Sequence, residues 1–287
     1  MKIETTLVSE VSELLREKGY CVQTAQVFKN GVSTETILVK LPDDTYMGVY
    51  VDRFVGQTAH DAVSHIEQAL LTEDTLRVPL DDPEYVKQHV YIGLKKAQNV
   101  FLLDGVEMPI AKRPSPFDGI DEYLFIRQTD PRGTISVTLP PNGVCEIPEK
   151  DLWKIAYKNT CRDTSIMTIE GAILDLTRED DFWEPSLDVN ATFQVPLYVV
   201  TNGGKHMGAA AILNRQAILK YAQHHRIDKI VMLPSSIHEV IIKPYCEDDI
   251  EQLTEIVKNV NACEVRPQEQ LGDKAYLIDV QDYCREK

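Results

Sequence analysis

The sequence predicts an α+β fold, mixed sheets with helices, closing on a βαβ-like α/β unit near the C-terminus. Three observations carry that prediction. Asn30-Gly31 lies between two β-prone runs, the strongest short hairpin signal a sequence offers. Apolar residues recur at helical spacing in segments that alternate with strand-like runs along the chain. Residues 196–242 read as strand, glycine loop, helix, strand, turn and strand.

The elements follow in order. A helix is expected over 5–18, with Leu7, Val11, Leu14 and Leu15 on one face and Gly19 as its stop. The hairpin strands are 21–28 and 32–39, and a third strand, 46–51, follows the turn Pro42-Asp43-Asp44. Helical pattern resumes over 59–71 and again over 83–97. Strand-like segments stand at 100–103, 122–128 and 133–139. Between the first two, 109–119 is rich in Pro, Lys and Arg and reads as an exposed loop. A helix over 148–159 places Leu152, Ile155 and Ala156 on one face, with Pro148 in its first turn. The acidic stretch 178–185 is the expected linker, dividing an N-terminal α+β region, 1–185, from a C-terminal α/β region, 186–287, unless the two are one continuous domain. After the βαβ-like unit, a helix over 247–260 carries Glu247, Asp248 and Asp249 where the helix dipole favours negative charge. A last strand is expected over 275–280.

Composition narrows the class. With 43% hydrophobic and 26% charged residues, the 287-residue chain has the make-up of a soluble globular protein. No apolar run approaches the roughly 20 residues of a membrane helix. Met1-Lys2-Ile3-Glu4-Thr5 lacks the apolar core of a secretory signal, so a cytoplasmic location and no membrane are expected. The six cysteines form no Cys-x-x-Cys pair, which points to reduced thiols and to neither a disulfide framework nor a zinc site. The net charge of −15, from 30 basic and 45 acidic residues, disfavours nucleic-acid binding, which needs clustered Lys and Arg. No cofactor motif stands in the chain, and no metal is expected.

Several segments resemble the bacterial family, mainly from Firmicutes, known as domain of unknown function 5688. The resemblance rests on Leu197-Tyr198-Val199-Val200-Thr201-Asn202, Gly208-Ala209-Ala210 and Leu233-Pro234-Ser235-Ser236-Ile237-His238-Glu239-Val240. It continues through Val265-x-Pro267-x-Glu269-x-Leu271 and includes Ala156-Tyr157-Lys158-Asn159-Thr160. The N-terminal half is similar mainly in its order of elements, and Gly203-Gly204 departs from the pattern. What the resemblance implies is a shared fold.

The candidate chemistry gathers at the turns of the βαβ-like unit, where an α/β sheet places a small-molecule site. Ser235, Ser236, His238 and Glu239 are the candidate catalytic residues, and Asn202 and Lys205 the candidate ligand-binding ones. Ser236 and His238 lie two apart in an expected strand, so they share a face, as a serine nucleophile and its base would. Against this, no Gly-x-Ser-x-Gly elbow positions the hydroxyl, and Pro234-Ser235-Ser236 is also a natural turn. Glu239 would share a strand face with Ile237 and Ile241, and a buried carboxylate needs a partner. Arg215, projected between Ile212 and Leu219 on an apolar helix face, is the candidate. The alternative is a break at Asn214, which would cap a new helix and turn Arg215 outward. Lys205 sits in Gly203-Gly204-Lys205-His206-Met207-Gly208, a loop type that can cradle phosphate but matches no P-loop pattern. His224-His225 diverge by about 100° on a helix and suit a helix C-terminus better than a shared metal. The expectation is a binding or regulatory protein that uses an acidic surface on a protein partner. The alternative is a hydrolase with its site at the Pro-Ser-Ser-Ile-His-Glu turn.

Overall fold

The computed structural model describes residues 2–29, 32–40, 46–50, 54, 56–71, 78–100, 102–130, 133–177, 196–247 and 249–285. In chain order the first elements are α1 (Lys2–Glu17), β1 (Val22–Lys29), β2 (Val32–Lys40), β3 (Tyr46–Tyr50), α2 (Ala59–Leu71) and α3 (Pro83–His89). Then come β4 (Val90–Lys96), β5 (Leu102–Leu103), β6 (Val106–Glu107), β7 (Lys112–Pro114), β8 (Ile120–Asp130), β9 (Gly133–Thr138) and α4 (Glu149–Arg162). The last are β10 (Thr164–Thr168), α5 (Ile169–Thr177), β11 (Tyr198–Asn202), a 3-10 helix (Gly208–Leu213), α6 (Arg215–His225), β12 (Lys229–Leu233), β13 (Val240–Pro244), α7 (Ile250–Glu264), a 3-10 turn (Pro267–Glu269), β14 (Tyr276–Asp279) and α8 (Val280–Arg285). Among the described residues, helices stand beside three antiparallel sheets, so the class is α+β.

The chain forms two compact units, Met1–Val78 with Asn99–Pro109, and Pro79–Gln98 with Ile110–Lys287. The boundary and acidic linker expected at 178–185 lie outside the described residues, as do the turn residues Asn30, Gly31 and 42–44. One sheet nevertheless draws strands from both sides of residue 185, because β10 pairs with β11.

The smaller unit is built as its periodicity dictates. Val8, Val11 and Leu15 of α1 and Ala62, Val63 and Ile66 of α2 are buried in one core with Ile37 and Val39 of β2. Gly19, at φ 93°, ends α1, with Gly19 N–H donating to the Arg16 carbonyl and Tyr20 N–H to that of Leu15. The hairpin register runs from Val22 opposite Val39 to Lys29 opposite Val32, as a two-residue connection requires.

In the larger unit the helix expected over 83–97 stops at His89 and gives way to β4. Asp82 and Pro83 start it properly, but the Val90 backbone is extended and Asn159 takes the Lys87 and Val90 carbonyls. Val86, Val90 and Leu94 mimic helical spacing, yet β-branched Val90 and Ile92 bury themselves by pairing with β8. Gly93 makes that pairing possible, since a Cβ there would meet the Tyr123 ring at 2.5 Å. The stretch expected as an exposed loop over 109–119 also contains structure. Its residues 112–114 form β7 against β8, while Ala111 and Phe117 are buried.

The C-terminal sheet has the order β10-β11-β13-β12-β14. β11 and β12 are each antiparallel to β13, which lies between them, so they run parallel to each other in one sheet. The connection between them is broken rather than one helix. Asn214 accepts the Ala217 N–H and caps α6, so Arg215 becomes its first residue. The strand expected over 237–242 begins only at Val240. Residues 234–239 instead form the turn from β12 to β13, and α8 follows the last strand.

Candidate functional site

At one end of the C-terminal sheet β11 runs two residues past the start of β13, and there the 203–207 loop meets the 234–239 turn. Asn202 organises the loop. Its Oδ1 accepts the His206 N–H at 3.2 Å, its Nδ2 donates to the His206 carbonyl at 2.9 Å, and its own carbonyl accepts the Lys205 N–H. Gly203 N–H donates to the Asp163 carbonyl, and Asp163 pairs with Arg127, which stacks over Tyr91 at 4.1 Å. The N–H groups of Gly203, Lys205, His206, Met207 and Ala209 are thus spent on partners within the protein, including Met207 to His238 Nδ1 and Ala209 to the Ile237 carbonyl. A phosphate cradle would need them turned toward a ligand.

The turn is equally committed. Ser235 and Ser236 both donate to Glu239 Oε1, at 3.1 and 2.7 Å. Ser236 Oγ also accepts the His238 backbone N–H at 3.0 Å, and Ser236 N–H donates to the Glu239 carbonyl. The imidazole points elsewhere, with Nδ1 accepting the Met207 N–H at 3.1 Å and Nε2 lying 3.9 Å from Glu269 Oε1. Thr201 donates to the His238 carbonyl at 2.8 Å. Gly208 closes the junction, for a Cβ there would meet Asn202 N and His238 O, each at 2.7 Å.

Two expectations are corrected by this geometry. Ser236 and His238 do not share a strand face, because residues 236–239 form a turn, and Ser236 serves the turn's backbone and Glu239 instead of the ring. Glu239 is not held by Arg215. Two hydroxyls hold it, while the helix break at Asn214 sends the Arg215 guanidinium over the Tyr283 ring at 5.2 Å.

All six residues singled out in the sequence, Asn202, Lys205, Ser235, Ser236, His238 and Glu239, fall in or beside this network. Met207, Thr201 and Gly208 were not among them: Met207 acts through its backbone N–H, Gly208 through tight packing, and Thr201 through a hydroxyl donated to the His238 carbonyl. Glu269 had one signal, its place in the Val265-x-Pro267-x-Glu269 segment. His225 lies apart, packed against Tyr198 and Tyr221, and desolvation with the nearby His224 charge lowers its pKa.

A small cleft next to the loop is lined by Asp163, Asn202, Thr160, Tyr91, Phe125 and Met207. Its volume of about 10 Å³ holds about one water molecule. Among the described residues no three His, Cys, Asp or Glu side chains are arranged to hold a metal ion. Nor is any described helix long and apolar enough to cross a membrane.

Residues 3–279 match a family of unknown function (DUF5688), and the chain belongs to that family. No curated protein and no solved structure matches it.

Proposed function

We propose that this chain is a binding or regulatory protein of the bacterial cytoplasm that presents an acidic surface to a basic protein partner. One observation carries the reading: the hydroxyls of Ser235 and Ser236 both go to Glu239, while the His238 ring accepts a backbone N–H. Neither of these hydroxyls is left facing the imidazole, so the polar turn works as an internal brace. The net charge of −15 supplies the surface and argues against nucleic acid as the partner. Exposed acids concentrate around the start of α7, at Glu247, Asp249, Glu251 and Glu255.

The test is capture of a partner by the full chain at rising salt. Binding should weaken as the screening length falls to about 8 Å, and neutralising Glu247, Glu251 and Glu255 together to Gln should reproduce that loss at low salt. Capture that ignores both salt and the triple change would defeat the proposal. The second reading, a hydrolase, draws on the 2.7 Å bond from Ser236 to a carboxylate able to take its proton. Against it, Ser236 is only 6% exposed. An ester-hydrolysing activity abolished by Ser236→Ala, with the fold intact, would establish it.

A further inference from the structure

The 203–207 loop and the 234–239 turn are joined by a bond that one charge state of His238 can make. Nδ1 accepts the Met207 N–H at 3.1 Å. That needs a lone pair on the nitrogen, and a protonated imidazole has none, because both ring nitrogens then donate. The bond anchors a strained segment. Met207 is held at φ 52° immediately before the buried 3-10 helix, and Lys205 is held at φ 49°. Left-handed backbone is unfavourable for residues bearing a Cβ, so such a shape persists only while its surroundings hold it.

On the opposite side of the ring, Nε2 carries the proton of this neutral tautomer, so a second proton must enter at Nδ1. Nε2 lies 3.9 Å from the Glu269 carboxylate. The loop contributes His206, its ring 5.3 Å away centroid to centroid, with Lys205 the residue before it. Glu239, the neighbour within the turn, keeps its carboxylate on Ser235 and Ser236. A carboxylate on one side and a backbone donor on the other oppose each other as His238 takes a proton.

We propose that His238 is a pH-sensitive latch between loop and turn. Neutral, it accepts from Met207 and keeps the 203–207 loop closed. On taking a proton from solvent at Nδ1, it meets the Met207 N–H donor to donor, gives up that bond, keeps its attraction to Glu269 and releases the loop. The latch is therefore closed on the alkaline side of the imidazole's titration and open on the acidic side. The inference is independent of the acidic-surface reading, since it concerns groups inside the fold.

The test is amide hydrogen exchange at Met207 in the full chain, corrected for the intrinsic pH dependence of exchange. Between about pH 7.5 and about pH 5.5, the protection factor should fall about five- to tenfold, the equivalent of one net hydrogen bond. His238→Asn puts an amide oxygen where Nδ1 stands, accepts the same N–H and does not titrate, so its profile should be flat. Glu269→Gln removes the counter-charge and should move the release to lower pH. His206→Gln should keep the wild-type fall. A flat wild-type profile, an equal fall in His238→Asn, or loss of the fall in His206→Gln would each overturn the latch.

Discussion

Two carboxylates stand near strand starts in the larger unit, Glu239 just before β13 and Glu122 in β8, and they are held by different chemistry. Glu239 takes two serine hydroxyls on a single oxygen, in a turn where Ser236 Oγ also accepts the His238 backbone N–H. Glu122 takes a guanidinium, with Arg113 donating from Nε at 2.7 Å and placing Nη2 2.7 Å from the same oxygen, while stacked over Trp153 at 4.1 Å. Glu122 is 4% exposed, and burial pushes its pKa up despite Arg113 and the more distant Arg215. The hydroxyl network shapes two loops, whereas the ion pair fastens β7 to β8. Loss of a member should therefore be felt through backbone geometry in the first region and through solvation in the second.

The largest expected effect is in the first region, at Gly208. A Cβ there collides with the backbone of Asn202, at the end of β11, and of His238, in the 234–239 turn, which cannot both retreat. Gly208→Ala should cost about 2–3 kcal/mol, the range of a strained overpacked position. Denaturant melts measure it. A cost below about 0.5 kcal/mol, that of an ordinary surface change, would mean that the junction yields easily and that the bonds between loop and turn do little to fix it.

Asn202→Ala should follow, at about 2 kcal/mol. It removes two hydrogen bonds and leaves the His206 N–H and carbonyl to find new partners. It should also raise exchange at the amides of His206 and Met207 while leaving α1 and the β1–β2 hairpin unchanged. Spread of the effect into the smaller unit would break the picture of a local brace.

The contrast between the two carboxylates also shows what sequence can and cannot deliver. The bounds of α2, the hairpin register and the polar content of the 234–239 turn follow from local pattern, because capping, turn chemistry and periodicity are local. The extended conformation of β4 does not, because Val86, Val90 and Leu94 satisfy a helical period and only pairing with β8 decides otherwise. Glu239 and Arg215 were both recognisable as charges needing partners. Which partners they take was not recoverable, because it depended on whether Asn214 capped a helix. Asn202 and His238 stood out as side chains, while Met207 contributes an N–H, which every residue except proline carries. Glu269 reaches the site from 31 positions beyond His238 only because the 3-10 turn returns the chain there, its carbonyl accepting the Ile237 N–H.

The smallest effects, and the sharpest test of the contrast, come from replacing each carboxylate with its amide. Glu239→Gln keeps an oxygen that can accept both serine hydroxyls, so it should cost less than about 1 kcal/mol. Glu122→Gln requires a sign argument. The pKa of Glu122 is raised in the folded protein, so between the ordinary carboxylate range and that higher value the native state holds more protons than the unfolded chain. Its contribution to stability therefore falls as pH rises through that window, and at neutral pH the ionised group is a net cost. The amide removes that cost. The Arg113 side chain, 45% exposed, stays hydrated, so the change strands no buried charge. Glu122→Gln should be within about 1 kcal/mol of wild type at pH 7, and its stability relative to wild type should improve between mildly acidic and neutral pH. Paired denaturant melts across that range decide it. A relative stability that worsens toward neutral pH would mean that the Arg113 attraction outweighs desolvation, and the two carboxylates would then differ in strength of partner rather than in kind.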